Sequence, residues 1–176
     1  MGPTTYTLCQ KAVIGPAMWI VGLCVFPPLI SDVSLPLSSA GAAATASFSV
    51  PVDKNYQFIL EFEFGSTEAR LQDKIVGSNY RAECEKEPAA LLGNPEYGRP
   101  IPVRVVIRKA QDRSIVVDRN FISLCMLGHM SNKKSRGVGW VTLARGDYTV
   151  EIANLVAQDH LADIKTSISL VSGSAK

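Results

Sequence analysis

The chain has 176 residues, 47% of them hydrophobic and 19% charged, with a formal net charge of +2. Once the apolar first quarter is set aside, about 130 residues remain, near the commonest size for one domain with one core. Acidic and basic residues are interleaved from Asp53 onward and form no basic face or stripe, so nucleic acid is not expected as a partner.

Lys11 precedes an apolar run over residues 12–30 that holds no charge and is interrupted by Pro16 and by Pro27 and Pro28. Prolines disfavour an unbroken spanning helix, so a cleaved export leader is favoured over a retained membrane anchor. Small residues over 38–46 satisfy the peptidase preference for alanine three apart, with cuts after Ala42, Ala44 or Ala46 all fitting. Lipidation at Cys24 is a third outcome, weakened by Leu23 where glycine or alanine is wanted. On this reading, residues 1–46 are leader or anchor plus a flexible Ala/Ser tether, and residues 47–176 are the domain.

From Phe48 the apolar residues recur every second position, which puts alternate side chains on opposite faces of a sheet. Phe48, Val50 and Val52 make a short strand. Tyr56, Phe58, Leu60, Phe62 and Phe64 form the next apolar row, with Gln57, Glu61 and Glu63 on a wet face. Ser66 is a candidate cap for a helix over 67–75, which Gly77 would end. Residues 78–100 show little periodicity and read as a long loop. Residues 101–109 and 114–122 form a hairpin, 137–143 and 147–155 are further strands, and 164–171 is the last. About seven strands with turns between them predict a mainly β, antiparallel two-sheet sandwich of Ig-like or Greek-key type, with one short helix.

Leu143, Gly146 and Tyr148 match the corner found in such sandwiches, where a tyrosine at a strand start donates to upstream backbone. That turn also accounts for the Arg145-Gly146-Asp147 tripeptide without invoking adhesion. Phe48 to Gly65, Tyr97 to Val103 and Leu143 to Leu155 together resemble a family of uncharacterised bacterial exported domains, often lipoproteins, of unknown function. The resemblance implies an envelope location and supplies no catalytic residues.

Chemistry finds few footholds. His129 and His160 are the only histidines, neither stands at a metal-ligand spacing from another ligand, and no G-x-S-x-G is present, so no enzyme, metal or cofactor is expected. Glu83, Glu85, Glu87 and Glu96 read as a solvated loop rather than a glycosidase pair. Cys84 and Cys125, the two cysteines outside the leader, are candidates for one disulfide in an oxidising compartment, with two buried thiols as the alternative.

Two stretches are candidate contact surfaces. One is the long loop with Tyr80 and Tyr97. The other is an apolar connection containing Met126, Leu127, His129 and Met130, followed by a basic tip with Lys133, Lys134 and Arg136, expected to be solvated. The function expected is non-enzymatic protein binding in the bacterial envelope, exported to the periplasm or anchored facing it. An immunity protein against a periplasm-delivered toxin is one form. The alternatives are an assembly accessory of an envelope complex, or a carbohydrate or small-ligand module stacking sugars on Tyr80, Tyr97 and Trp140.

Overall fold

The computed structural model describes residues 28–78, 93, 97–124 and 126–172. The strands are β1 (Ile30–Ser34), β2 (Ala43–Val50), β3 (Lys54–Glu63), β4 (Ile101–Lys109), β5 (Ile115–Ser123), β6 (Met126–Met130), β7 (Lys133–Leu143), β8 (Gly146–Asn154) and β9 (Lys165–Ser172). One short helix, α1 (Thr67–Gln72), follows β3. The strands form two antiparallel sheets in the orders β1-β9-β3-β7-β6 and β2-β8-β4-β5. The protein is thus a mainly β two-sheet sandwich with one short helix.

The core lies between the sheets. Tyr56, Phe58, Leu60 and Phe62 of β3 face Val103, Val105 and Ile107 of β4 and Val150 and Ile152 of β8, all buried. The period-two pattern therefore buries one row per strand, and those rows meet.

The sandwich begins earlier than residue 47. Leu29, Ile30, Leu35, Leu37 and Ala44 all belong to the core, β1 pairs with β9 and β2 pairs with β8 over its full length. The alanine-rich stretch is therefore strand rather than tether. Its small side chains hid the alternation, because an alanine is as acceptable in a flexible segment as on a packed edge strand.

Two connections cross from one sheet to the other side by side. Between β7 and β8 the Tyr148 hydroxyl donates to the Ala144 carbonyl at 2.9 Å. Between β2 and β3 the Tyr56 hydroxyl donates to the Val52 carbonyl at 2.7 Å, a second corner of the same build. The Arg145 amide donates to the Asp53 carboxylate at 2.6 Å and ties the two together. Phe48 pairs with Tyr148 in register, and their rings stack at 5.7 Å.

The opposite end is closed by buried cations. The Lys134 ammonium donates to the Asp73 carboxylate at 2.7 Å, to the Asp73 carbonyl at 3.1 Å and to the Gly77 carbonyl at 2.8 Å. The Arg136 guanidinium donates to the carbonyls of Arg99 and Ser123 and is fully buried. These two residues are not a solvated tip: β7 starts at Lys133, so alternation turns Lys134 and Arg136 inward opposite Phe62 and Leu60.

The helix is shorter than its apolar spacing suggests. Ser66 caps it by accepting from the Ala69 amide at 3.1 Å, but it ends at Gln72. There the Asp73 carboxylate accepts from the Ile75 and Val76 amides and offers the backbone a turn in place of further helix. Arg70 is the buried residue of this helix, while Leu71 is exposed. Gln57, expected on a wet face, is also buried, standing opposite Trp140 in the β3–β7 register.

Candidate functional site

β5 is one of the two edge strands of the four-stranded sheet, the other being β2, and β6 is one of those of the five-stranded sheet, the other being β1. β5 and β6 follow one another in the chain, so these edges of the two sheets come together on one side of the sandwich. Among the described residues nothing pairs with the outer edge of either strand.

The β4–β5 hairpin is held rigidly. At its turn Lys109 and Ser114 pair through backbone at 2.9 Å, and the Asp112 carboxylate accepts from the Ser114 amide at 2.9 Å and from its hydroxyl at 2.6 Å. Those bonds hold the Asp112 carboxyl below its ordinary range. Farther along, Arg104 grips Asp118 with two bonds of 2.9 and 2.8 Å, which likewise lowers the Asp118 carboxyl. Phe121 lies directly over Gly139 of β7, where a Cβ would come within 2.1 Å of the ring, so that position admits glycine and little else. The Arg119 guanidinium sits 5.1 Å above the Phe121 ring.

This side presents apolar residues at its two ends, with Asp118, Arg119 and Asn120 exposed between them. Ile115 is 58% exposed, Val116 40% and Met130 78%. At the opposite end from Ile115 and Val116, Leu127 is half-buried and His129 is exposed near Met130. An open edge carrying β-branched residues is a template for pairing with another chain. The β6–β7 turn is fixed by Asn132, whose side chain donates to the Phe64 carbonyl at 2.6 Å, and Lys133 lies 3.8 Å from Glu63.

The expected contact residues divide accordingly. Leu127, His129, Met130 and Lys133 lie on this side, though on a strand rather than in a connection. Met126, Tyr97, Lys134 and Arg136 are buried and unavailable to a partner. Tyr97 is packed inward where Gly98, at φ +73°, fits against the Ile75 carbonyl, leaving no room for a side chain. Tyr80, Cys84, Cys125 and Cys24 lie outside the described residues, as do Glu83, Glu85, Glu87 and Glu96. Ile115, Val116 and Arg119 were missed by sequence reasoning. Three consecutive apolar residues, 115–117, in a strand meant to have one wet face were the available sign.

Two other features compete for attention. A groove of about 360 Å³ on the outer face of the four-stranded sheet is lined by Thr45, Ser47, Arg108, Thr149 and Glu151. It has no aromatic platform, and Arg108 and Glu151 approach each other at 3.7 Å in it. His160 is held below its ordinary range by burial and by Arg99, whose guanidinium is 3.3 Å from its Nδ1. Among the described residues no group of three His, Cys, Asp or Glu is placed to hold a metal ion, and no helix is long and apolar enough to cross a membrane.

A family model described as a domain of unknown function, DUF5625, matches residues 32–172. No curated protein matches the chain. Among solved structures, the chain is similar to a protein from Sulfurospirillum deleyianum at 18% identity and a TM-score of 0.60, over 85% of this chain and all of that one. A family 35 carbohydrate binding module from Clostridium thermocellum aligns at 11% identity and a TM-score of 0.38, over 76% of this chain and 72% of that one. The first likeness concerns the fold alone, and it spans both sheets.

Proposed function

The chain belongs to the DUF5625 family, a domain of unknown function, and from that premise we propose that it is a protein-binding sandwich without catalytic activity, whose contact surface is the β5–β6 side. The observation that carries this reading is the exposure of Ile115 and Val116 at the hairpin-turn end of the open β5 edge, with Met130 exposed at the far end of β6 on the same side. Apolar side chains standing on an open edge lose unfavourable hydration only when another surface covers them.

The partner in this reading is an envelope protein, and a toxin delivered into the periplasm is the specific form. Export is supported by the charge-free apolar run ahead of β1. Cuts after Ala42, Ala44 or Ala46 would all remove β1, and the last two also the start of β2, so a leader in this reading ends before Leu29. Cys24 lies ahead of that limit and stays in play as a lipid attachment point. Mass spectrometry of the mature N-terminus decides it: a first residue beyond Leu29 contradicts the proposal.

The binding test uses the full chain. Ile115→Lys and Met130→Lys put charges on the contact side and should release a stoichiometric partner recovered from envelope extract, while Thr149→Lys, on the outer face of the four-stranded sheet, should not. Retention by both contact-side variants, or recovery of no partner by the unmodified chain, defeats the reading.

A further inference from the structure

We propose that β5 receives an acidic, extended segment of the partner as an added antiparallel strand. This deepens the protein-binding reading and rests on it. β5 runs nine residues, Ile115–Ser123, at the end of its sheet. Main-chain groups on such an edge point outward, and an added strand satisfies them.

The charge on the hairpin selects the chemistry. Residues 101–123 hold Arg104, Arg108, Lys109, Arg113 and Arg119 against Asp112 and Asp118, an excess of three cations on one hairpin when the whole chain carries +2. Arg104 is committed to Asp118 and Arg108 approaches Glu151. Lys109, Arg113 and Arg119 make no ion pair among the described residues. They border the open edge at its turn and at its middle, and Arg119 is oriented by the Phe121 ring. A strand carrying carboxylates meets a net excess of opposite charge at the turn and at Arg119.

A second copy of this chain fits less well. Pairing β5 with itself antiparallel about its centre sets Arg119 against Arg119, or one step away Asp118 against Asp118, and like charges directly opposite oppose pairing.

Three capped nonapeptides test the inference on the full chain: alternating glutamate and threonine, the same with lysine for glutamate, and the same with proline for threonine. The first should bind at least about tenfold more tightly than either of the others, weaken as salt is raised, and slow amide hydrogen exchange in residues 115–123. The double variant Arg113→Glu with Arg119→Glu should reverse the preference between glutamate and lysine peptides. Equal affinity for the two charged peptides, equal binding of the proline peptide, or protection falling on another strand overturns it. If Ile115→Lys releases the natural partner while none of the peptides binds, strand addition is overturned and the protein-binding reading stands.

Discussion

At one end of the sandwich two tyrosines each donate to the carbonyl four residues back, whereas at the other Lys134 and Arg136 reach carbonyls between 13 and 61 residues away. The first kind of closure is local and neutral. Each corner forms wherever its turn forms, and losing one bond leaves a phenyl ring in the same place. The second kind exists only when distant segments have already arrived. It is also conditional, since Lys134 and Asp73 are both buried and each is tolerable only beside the other.

The largest effect should come from breaking that condition. Lys134→Met leaves the Asp73 carboxylate buried without its cation, and the expected loss is about 3–5 kcal/mol of unfolding free energy in urea titration. A loss near 1 kcal/mol would show that water reaches Asp73 and that the two ends differ less than their geometry implies.

Backbone fit at the same end comes next. Gly98 has φ +73°, and a Cβ there would stand 2.2 Å from the Ile75 carbonyl oxygen. Gly98→Ala should cost roughly 1–3 kcal/mol from the left-handed conformation, with the overlap in addition. A variant as stable as the parent would mean that residues 75–77 can move aside.

At the corner end the effects should be smaller and alike. Tyr56→Phe and Tyr148→Phe should each lower stability by about 1 kcal/mol, one net hydrogen bond. Because Asp53 and Arg145 link the two connections, the double variant is the sharper experiment: a sum that departs from additivity measures how far they act as one unit.

Alkali should separate the ends by sign. Burial raises the Tyr56 phenol above its usual 10.0, so the unfolded chain releases that proton first and stability falls as pH rises through 10. Burial pulls the Arg136 guanidinium down from 12.5 to about 9, so above pH 9 the unfolded chain holds more protons and stability rises. The two slopes oppose each other in the parent. Tyr56→Phe should make stability more favourable at pH 10.5 relative to pH 8 than in the parent, and Arg136→Met less favourable, as read by urea titration at both values. The same direction in both variants would refute the assignment.

The contrast between the ends also marks how far the residues could be read unaided. Tyr148 was legible because its leucine, glycine turn and tyrosine lie within six positions of one another. Tyr56 was legible as a core residue and not as a corner, since Val52 to Asn55 contains no glycine to announce the turn. Lys134 and Arg136 were misread because three cations in four residues look solvated when nothing distant is considered. On the contact side, Met130 and Leu127 are recognisable as unusual in the sequence, but their strand is not, because its pairing partner, residues 133–136, reads locally as a charged loop tip.

The sequence alone determined the alternation of the central strands, the hairpin over residues 101–122, the Ser66 cap and therefore the two-sheet class, because each depends on neighbours within a few residues. Tertiary structure decided which strands end at an edge, that residues 29–46 join the core, and that two cations turn inward. Those outcomes depend on the order of strands in each sheet and on the register between them, and contacts across many tens of residues leave no local pattern in the chain.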